Sequence, residues 1–365
     1  GTDNDDALTG TAFDDFISGG LGNDTIDGGE GRNRLLGGEG NDSLTSGAND
    51  DFLDGGTGED TLLGGAGADR LEDNDGANNT LLGGDGEDTL LGSGTLDGGA
   101  DNDTITLYGA SGVAGTADGG GGNDSLSYVR GGTNDVLRGG AGNDTLNAGS
   151  RATVTLDGGD GDDVLRSSSS SRSSSRSGDE TMIGGDGNDD IRSYWGSDML
   201  QGDAGNDYLD GGRDNDTLSG GTGDDTLLGD SGDDVLDGGD GDDLLDAGSG
   251  NDTIDGGADN SATGGTGDIA LVSGNSTELA IVQDVLDPSA IQVKRLNGSE
   301  VEVVRNVEVL RFNDGDVDVS SLNPGQFVEG TSGDDSLSGS AQDDLVVGGD
   351  GADTLVAGPG VDTVV

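Results

Sequence analysis

The chain has 365 residues, 75 acidic and 15 basic, for a formal net charge of −60; 29% are hydrophobic and 3% aromatic. That charge opposes a phosphate backbone and excludes nucleic acid as a partner. With no cysteine and no histidine, disulfides, thiolate metal sites and most zinc, copper or haem ligation are excluded as well.

Low hydrophobicity, high net charge and 78 glycines make the composition of a chain that stays disordered unless something outside the sequence neutralises it. The chain starts at Gly1 without Met or a signal-peptide pattern, as a mature form or a fragment does. No apolar run approaches the ~20 residues of a membrane span.

Residues 1–74 carry a strict period. Leu8, Ile17, Ile26, Leu35, Leu44, Leu53, Leu62 and Leu71 follow one another in a nine-residue frame. An Asp stands two residues before nearly every one, and a glycine-rich turn precedes the Asp, as in Gly19-Gly20-Leu21-Gly22-Asn23-Asp24. One turn departs: Asn33 replaces Asp, between Arg32 and Arg34, so that site is expected to be weak or empty. Residues 75–181 lose the frame, and ligands at Asp103, Asp124 and Asp135 are correspondingly less secure. Asp73–Gly76 brushes against an EF-hand loop but lacks its distal Glu and flanking helices, so it reads as a turn.

A Ser/Arg run from Arg166 to Ser177 closes this stretch; the frame around it favours polar coils that continue the stack over an extruded loop. The period then returns over 182–263, from Met182 and Ile191 to Leu245 and Ile254, with Ser261 replacing Asp near its end. Residues 265–325 alternate instead, as in Val301-Glu-Val303-Val and Val307-Glu-Val309-Leu, which are strand signals. After Pro324 the frame restarts at Leu337, Val346, Leu355 and Val364, still in phase where the sequence stops, as in a parent chain that continues.

A three-residue strand with one inward aliphatic, followed by a six-residue glycine turn, makes half a coil. Two halves make a coil with a strand on each side, and stacked coils pair their strands in parallel, about 4.8 Å apart. Stacking brings the Asp of one turn close to the Asp two repeats later. Those carboxylates and the turn carbonyls form a hard oxygen cage that suits calcium better than magnesium. About 20 ions would carry roughly +40 and cancel most of the charge.

The pattern G-G-x-G-x-D-x-aliphatic-x resembles the RTX nonapeptide repeat of secreted bacterial proteins. The resemblance implies an all-β fold: a right-handed parallel β-roll over 1–264 and again over 326–365, with a non-repeat β module at 265–325 between them. It implies calcium ligation by Asp24, Asp42, Asp60, Asp69, Asp88, Asp144, Asp163, Asp189, Asp207, Asp225, Asp234, Asp243, Asp252 and Asp353. It also implies export through a type I channel and a place outside the cell or on its surface.

Calcium is thus the expected cofactor, on the order of 20 ions. Further copies of the chain and cell-surface polysaccharide are candidate partners. Catalysis is not expected, because the Asp pairs share one repeated environment and no Walker turn is present. The favoured role is structural: a surface layer, matrix or adhesin. The alternatives are the tail of a secreted protease, lipase or alginate epimerase, or the repeat region of a pore-forming toxin.

Overall fold

In the computed structural model, residues 1–258 are described except for 74, 111, 130–133, 150–152 and 168–177; beyond 258 the description covers chiefly the strands. Every regular element among the described residues is a β-strand. The chain divides into two compact units, Gly1–Asp203 and Ala204–Val365.

The first unit is a parallel β-solenoid of two facing sheets, here called A and B. Successive nonapeptides enter them alternately. In sheet A the in-frame residues pair as Leu8↔Ile26, Ile26↔Leu44, Leu44↔Leu62 and Leu62↔Leu81. Sheet B pairs Ile17↔Leu35, Leu35↔Leu53, Leu53↔Leu71 and Leu71↔Leu90. The strands run from three to seven residues, longer than the three expected wherever they continue through the Gly-Gly pair, as at Gly38↔Gly56 in sheet B, and the in-frame aliphatic of each points inward. From Leu35 onward these aliphatics are almost wholly shielded and form two ladders that make a thin core. Each buried Leu contributes about 1.5–3 kcal/mol, realised only when the neighbouring coils are in place.

The irregular stretch keeps this stack. Leu81↔Leu96, Leu96↔Ala117, Ala117↔Leu137, Leu137↔Leu156 and Leu156↔Met182 continue sheet A. Leu90↔Ile105, Ile105↔Leu126, Leu126↔Leu146, Leu146↔Leu165 and Leu165↔Ile191 continue sheet B. What varies is one edge. The turns running from sheet A to sheet B keep short links at 86–88, 101–103, 122–124, 142–144, 161–163 and 187–189, each ending in Asp. The turns running from B to A vary from the single residue 93 to the stretch 167–180. The Ser/Arg run lies in the longest of these. The strand before it, Val164–Arg166, pairs with Asp190–Arg192, and the strand after it, Thr181–Asp186, pairs with Val154–Asp160; the expectation of polar coils falls on the run itself. Residues 168–177 themselves lie outside the described residues.

The second unit repeats the plan. Leu218↔Leu236 and Leu236↔Ile254 form one ladder; Leu209↔Leu227 and Leu227↔Leu245 form the other. The alternating segment then takes over both ladders. Ile254 pairs with Val304, Leu245 with Ala270, and Ala270 with Leu310, all in parallel. Strands Ile291–Arg295 and Leu279–Gln283 add on antiparallel, and parallel pairing resumes from Leu279–Gln283 to Pro324–Glu329. Further on, Leu337↔Leu355 and Val346↔Val364 pair in parallel, as their frame requires.

Candidate metal centres

The Asp residues of the A-to-B turns form a file. The backbone N–H of each donates to Oδ1 of its counterpart one coil later. Asp69 donates to Asp88, Asp88 to Asp103, Asp103 to Asp124, Asp124 to Asp144, Asp144 to Asp163 and Asp163 to Asp189, at 2.6–2.7 Å. The file holds although the intervals are 19, 15, 21, 20, 19 and 26 residues. In the second unit Asp207 donates to Asp225 and Asp225 to Asp243. The B-to-A turns carry a second file: Asp24 to Asp42 and Asp42 to Asp60 in the first unit, Asp216 to Asp234 and Asp234 to Asp252 in the second.

One oxygen of each carboxylate is therefore used. The other is not. Oδ2 of Asp24, Asp42, Asp60, Asp69, Asp88, Asp103, Asp124, Asp144, Asp163, Asp225, Asp234 and Asp243 is buried and has no hydrogen-bond donor. These side chains belong to residues only 1–3% exposed. A buried carboxylate oxygen without a donor costs several kcal/mol unless a proton or a cation compensates it.

The empty space beside each oxygen is made by the first glycine of the turn. A Cβ placed on Gly37, Gly83, Gly119, Gly139, Gly158, Gly220 or Gly238 would lie within 3 Å of the Asp Oδ2 of its own turn. It would lie equally close to a glycine carbonyl oxygen of the next coil. The cradle is thus a carboxylate and a carbonyl converging where a side chain would otherwise sit. The second glycine is needed for its backbone instead. At Gly140, φ is +110° and any Cβ would strike the Gly120 carbonyl.

All donors here are hard oxygens, which suits calcium. Among the described residues, no three acidic side chains converge on one point. A metal in such a turn would therefore depend on one or two carboxylates and on carbonyls.

Burial sets the electrostatics. It pushes Asp42, Asp88, Asp144, Asp189 and Asp243 up to about 6, and Asp69, Asp103, Asp163, Asp225 and Asp234 up to about 7. The N–H bond to Oδ1 opposes the shift in each case, and neighbouring carboxylates mostly add to it. Glu180 stands where an Asp would. Both its oxygens are buried without donors, and burial followed by the Asp198 charge pushes it up to about 10.

Of the fourteen expected ligands, thirteen lie in these two files; Asp353 lies outside the described residues. Asp103 and Asp124 hold positions equal to the rest, because the edge that carries them kept its spacing. Asp135 does not: Gly115 N–H donates to its Oδ1 and Tyr128 Oη–H to its Oδ2, both at 2.6 Å.

Asn33 turns its side chain onto its own turn. Its Nδ2 donates to the carbonyls of Gly29 at 3.4 Å and Gly31 at 3.2 Å, filling the cradle with its own amide, while Arg32 pairs with Asp50 at 2.7 Å. Asp51, Asp216 and Asp268 also stand two residues before an inward residue and are buried, a signal sufficient to find them.

The sequence matches the family described as RTX calcium-binding nonapeptide repeat, in ten stretches. These are residues 1–35, 27–62, 36–71, 63–95, 130–150, 154–169, 175–209, 192–227, 228–262 and 329–364. They cover well over half the chain. The chain belongs to the RTX calcium-binding nonapeptide repeat family. The turns that form its cradles are the glycine-rich turns of that repeat. No curated protein matches this sequence. Among solved structures, extracellular lipase LipA from Serratia marcescens is similar at 19% identity. That match covers 45% of this chain and 29% of the lipase, with a TM-score of 0.15, too low to bear on function. The chain spans less than a third of that lipase's length.

Proposed function

We propose that this chain is a structural module of an exported protein that stays unfolded at low calcium and folds on reaching calcium outside the cell. The observation that carries the reading is the double file of buried carboxylate oxygens without donors, most of them facing a carbonyl across a glycine. In the low-calcium cytosol these oxygens have no partner and the fold is opposed by its own charge. In millimolar calcium, a level matched to the 10⁻⁴–10⁻³ M affinities of extracellular modules, each turn gains a cation. Metal binding then supplies most of the folding free energy. About 20 ions would carry roughly +40 against the −60 of the chain.

The antiparallel strands that continue both ladders of the second unit act as a cap. They pair with parallel strand edges that would otherwise be open to further coils. The second run of repeats, over 326–365, restarts beyond it.

The module serves a surface layer, matrix or adhesin. Its acidic turns are suited to calcium bridges between copies or to cell-surface polysaccharide. Two measurements test this together: bound calcium per chain, counted by atomic absorption after gel filtration, and light scattering during calcium addition. Ordered assemblies at saturating calcium, with on the order of 20 ions bound, support the structural role. A chain that loads calcium and stays monomeric at every concentration favours instead the tail of a secreted enzyme.

A further inference from the structure

The turn of Asp60 differs from every cradle described above. At Gly37 a built Cβ meets Asp42 Oδ2 and the Gly55 carbonyl; at Gly55 it meets Asp60 Oδ2 and, in place of a carbonyl, Asp73 Oδ2. Asp73 ends the strand Arg70–Asp73, at the position that Gly64 occupies one nonapeptide earlier. Its side chain therefore enters the cradle of the coil before it.

Asp73 is 2% exposed, and both its oxygens are buried without a donor, as is Oδ2 of Asp60. Two carboxylate oxygens thus converge on one space. Neighbouring groups tie this turn to the residues after Asp73. Asp60 N–H donates to Asn79 Oδ1 at 3.0 Å. Asp75 accepts from Gly58 N–H at 2.9 Å and from Ala77 N–H at 2.8 Å. The segment where the nine-residue frame first breaks is thereby tied back onto the preceding coil.

We propose that Asp60 and Asp73, the latter outside the repeat pattern, form a two-carboxylate calcium site that holds its ion more tightly than the ordinary turns of the roll. The inference rests on the calcium reading above. Affinity in oxygen cages rises with the number of charged ligands, and here a formal charge replaces a carbonyl dipole in the same position. The site lies where the regular array passes into the stretch of variable turns, so its ion also pins the first frame break.

The test uses the full chain loaded with calcium and mixed rapidly with a fluorescent chelator, so that released ions are counted over time. Two variants are compared: Asp73→Gly, which restores the residue the repeat uses there, and Asp73→Asn, which keeps the shape without the charge. The wild type should release about one ion per chain at least about tenfold more slowly than the rest. In both variants that phase should merge with the others. A wild type with no separate slow ion, or a slow ion that persists in both variants, overturns the site while leaving calcium binding intact. A wild type that releases no calcium at all overturns the site and the calcium reading together.

Discussion

Replacing Asp225 by Asn should change the sign of its effect with calcium. Asp225 is 2% exposed; its Oδ1 accepts from Asp207 N–H at 2.7 Å and its Oδ2 has no donor. Burial, followed by the charges of Asp207 and Asp243, raises it from 3.8 to about 7. At ~1.4 kcal/mol per pH unit, that rise would penalise the metal-free fold by roughly 4 kcal/mol at neutral pH. Solvent and salt at the outer side of the turn reduce this to about 2 kcal/mol.

An Asn there avoids that cost, and Asn33 shows how: its amide donates to the carbonyls of its own turn. With calcium at about 100 times the site's Kd, however, the lost ion removes about 2.7 kcal/mol. Without calcium the variant should fold at lower concentrations of a protecting osmolyte than the wild type. With saturating calcium it should unfold at lower urea. Both midpoints are read by far-UV circular dichroism. An Asn variant no easier to fold in chelator than the wild type would refute the view that buried carboxylates hold the metal-free chain open.

Gly139→Ala fills one cradle without backbone strain of the left-handed kind, since its Cβ would meet Asp144 Oδ2 and the Gly158 carbonyl. It should cost one bound ion and about 1–3 kcal/mol of overpacking, measured by ion counting and urea unfolding in calcium. pH should act in two directions. The turn carboxylates, raised to about 6–7 in the fold, favour it when protonated. That contribution is fully present below about 4 and is lost as pH rises through 6–7. Mild acid should therefore lower the osmolyte needed to fold the chain in chelator. It should also raise the calcium concentration needed at the folding midpoint, because protons and calcium compete for the same oxygens.

Most of the fold is legible because one aliphatic every nine residues leaves little choice of register. Leu62, Leu71 and their neighbours are inward in the structure for the reason they are in frame in the sequence: each supplies the core of its half-coil. The break after Leu71 reads in sequence as loss of the regular roll. It is variation of one edge only, since the A-to-B links keep their length and the strands their pairing. A nine-residue count cannot separate the two edges, which is why spacing ranks Asp103 and Asp124 below their neighbours. Asp135 stands apart from the two files because Tyr128, seven residues earlier, closes back on it, a contact that spacing does not encode. Asp73 reads as a turn residue, because it follows the inward Leu71 where ligands precede one. Its role depends on the glycine it replaces and on the cradle one coil earlier.

The most direct measurement is far-UV circular dichroism of the whole chain during a calcium titration, started in chelator and repeated with magnesium. Files of donorless carboxylates facing carbonyls predict a disordered chain in chelator, a steep transition to β structure at millimolar calcium, and no such transition with magnesium at equal concentration. A chain already rich in β structure in chelator at neutral pH would contradict it, because the fold would then stand without the cations that its own buried charge requires.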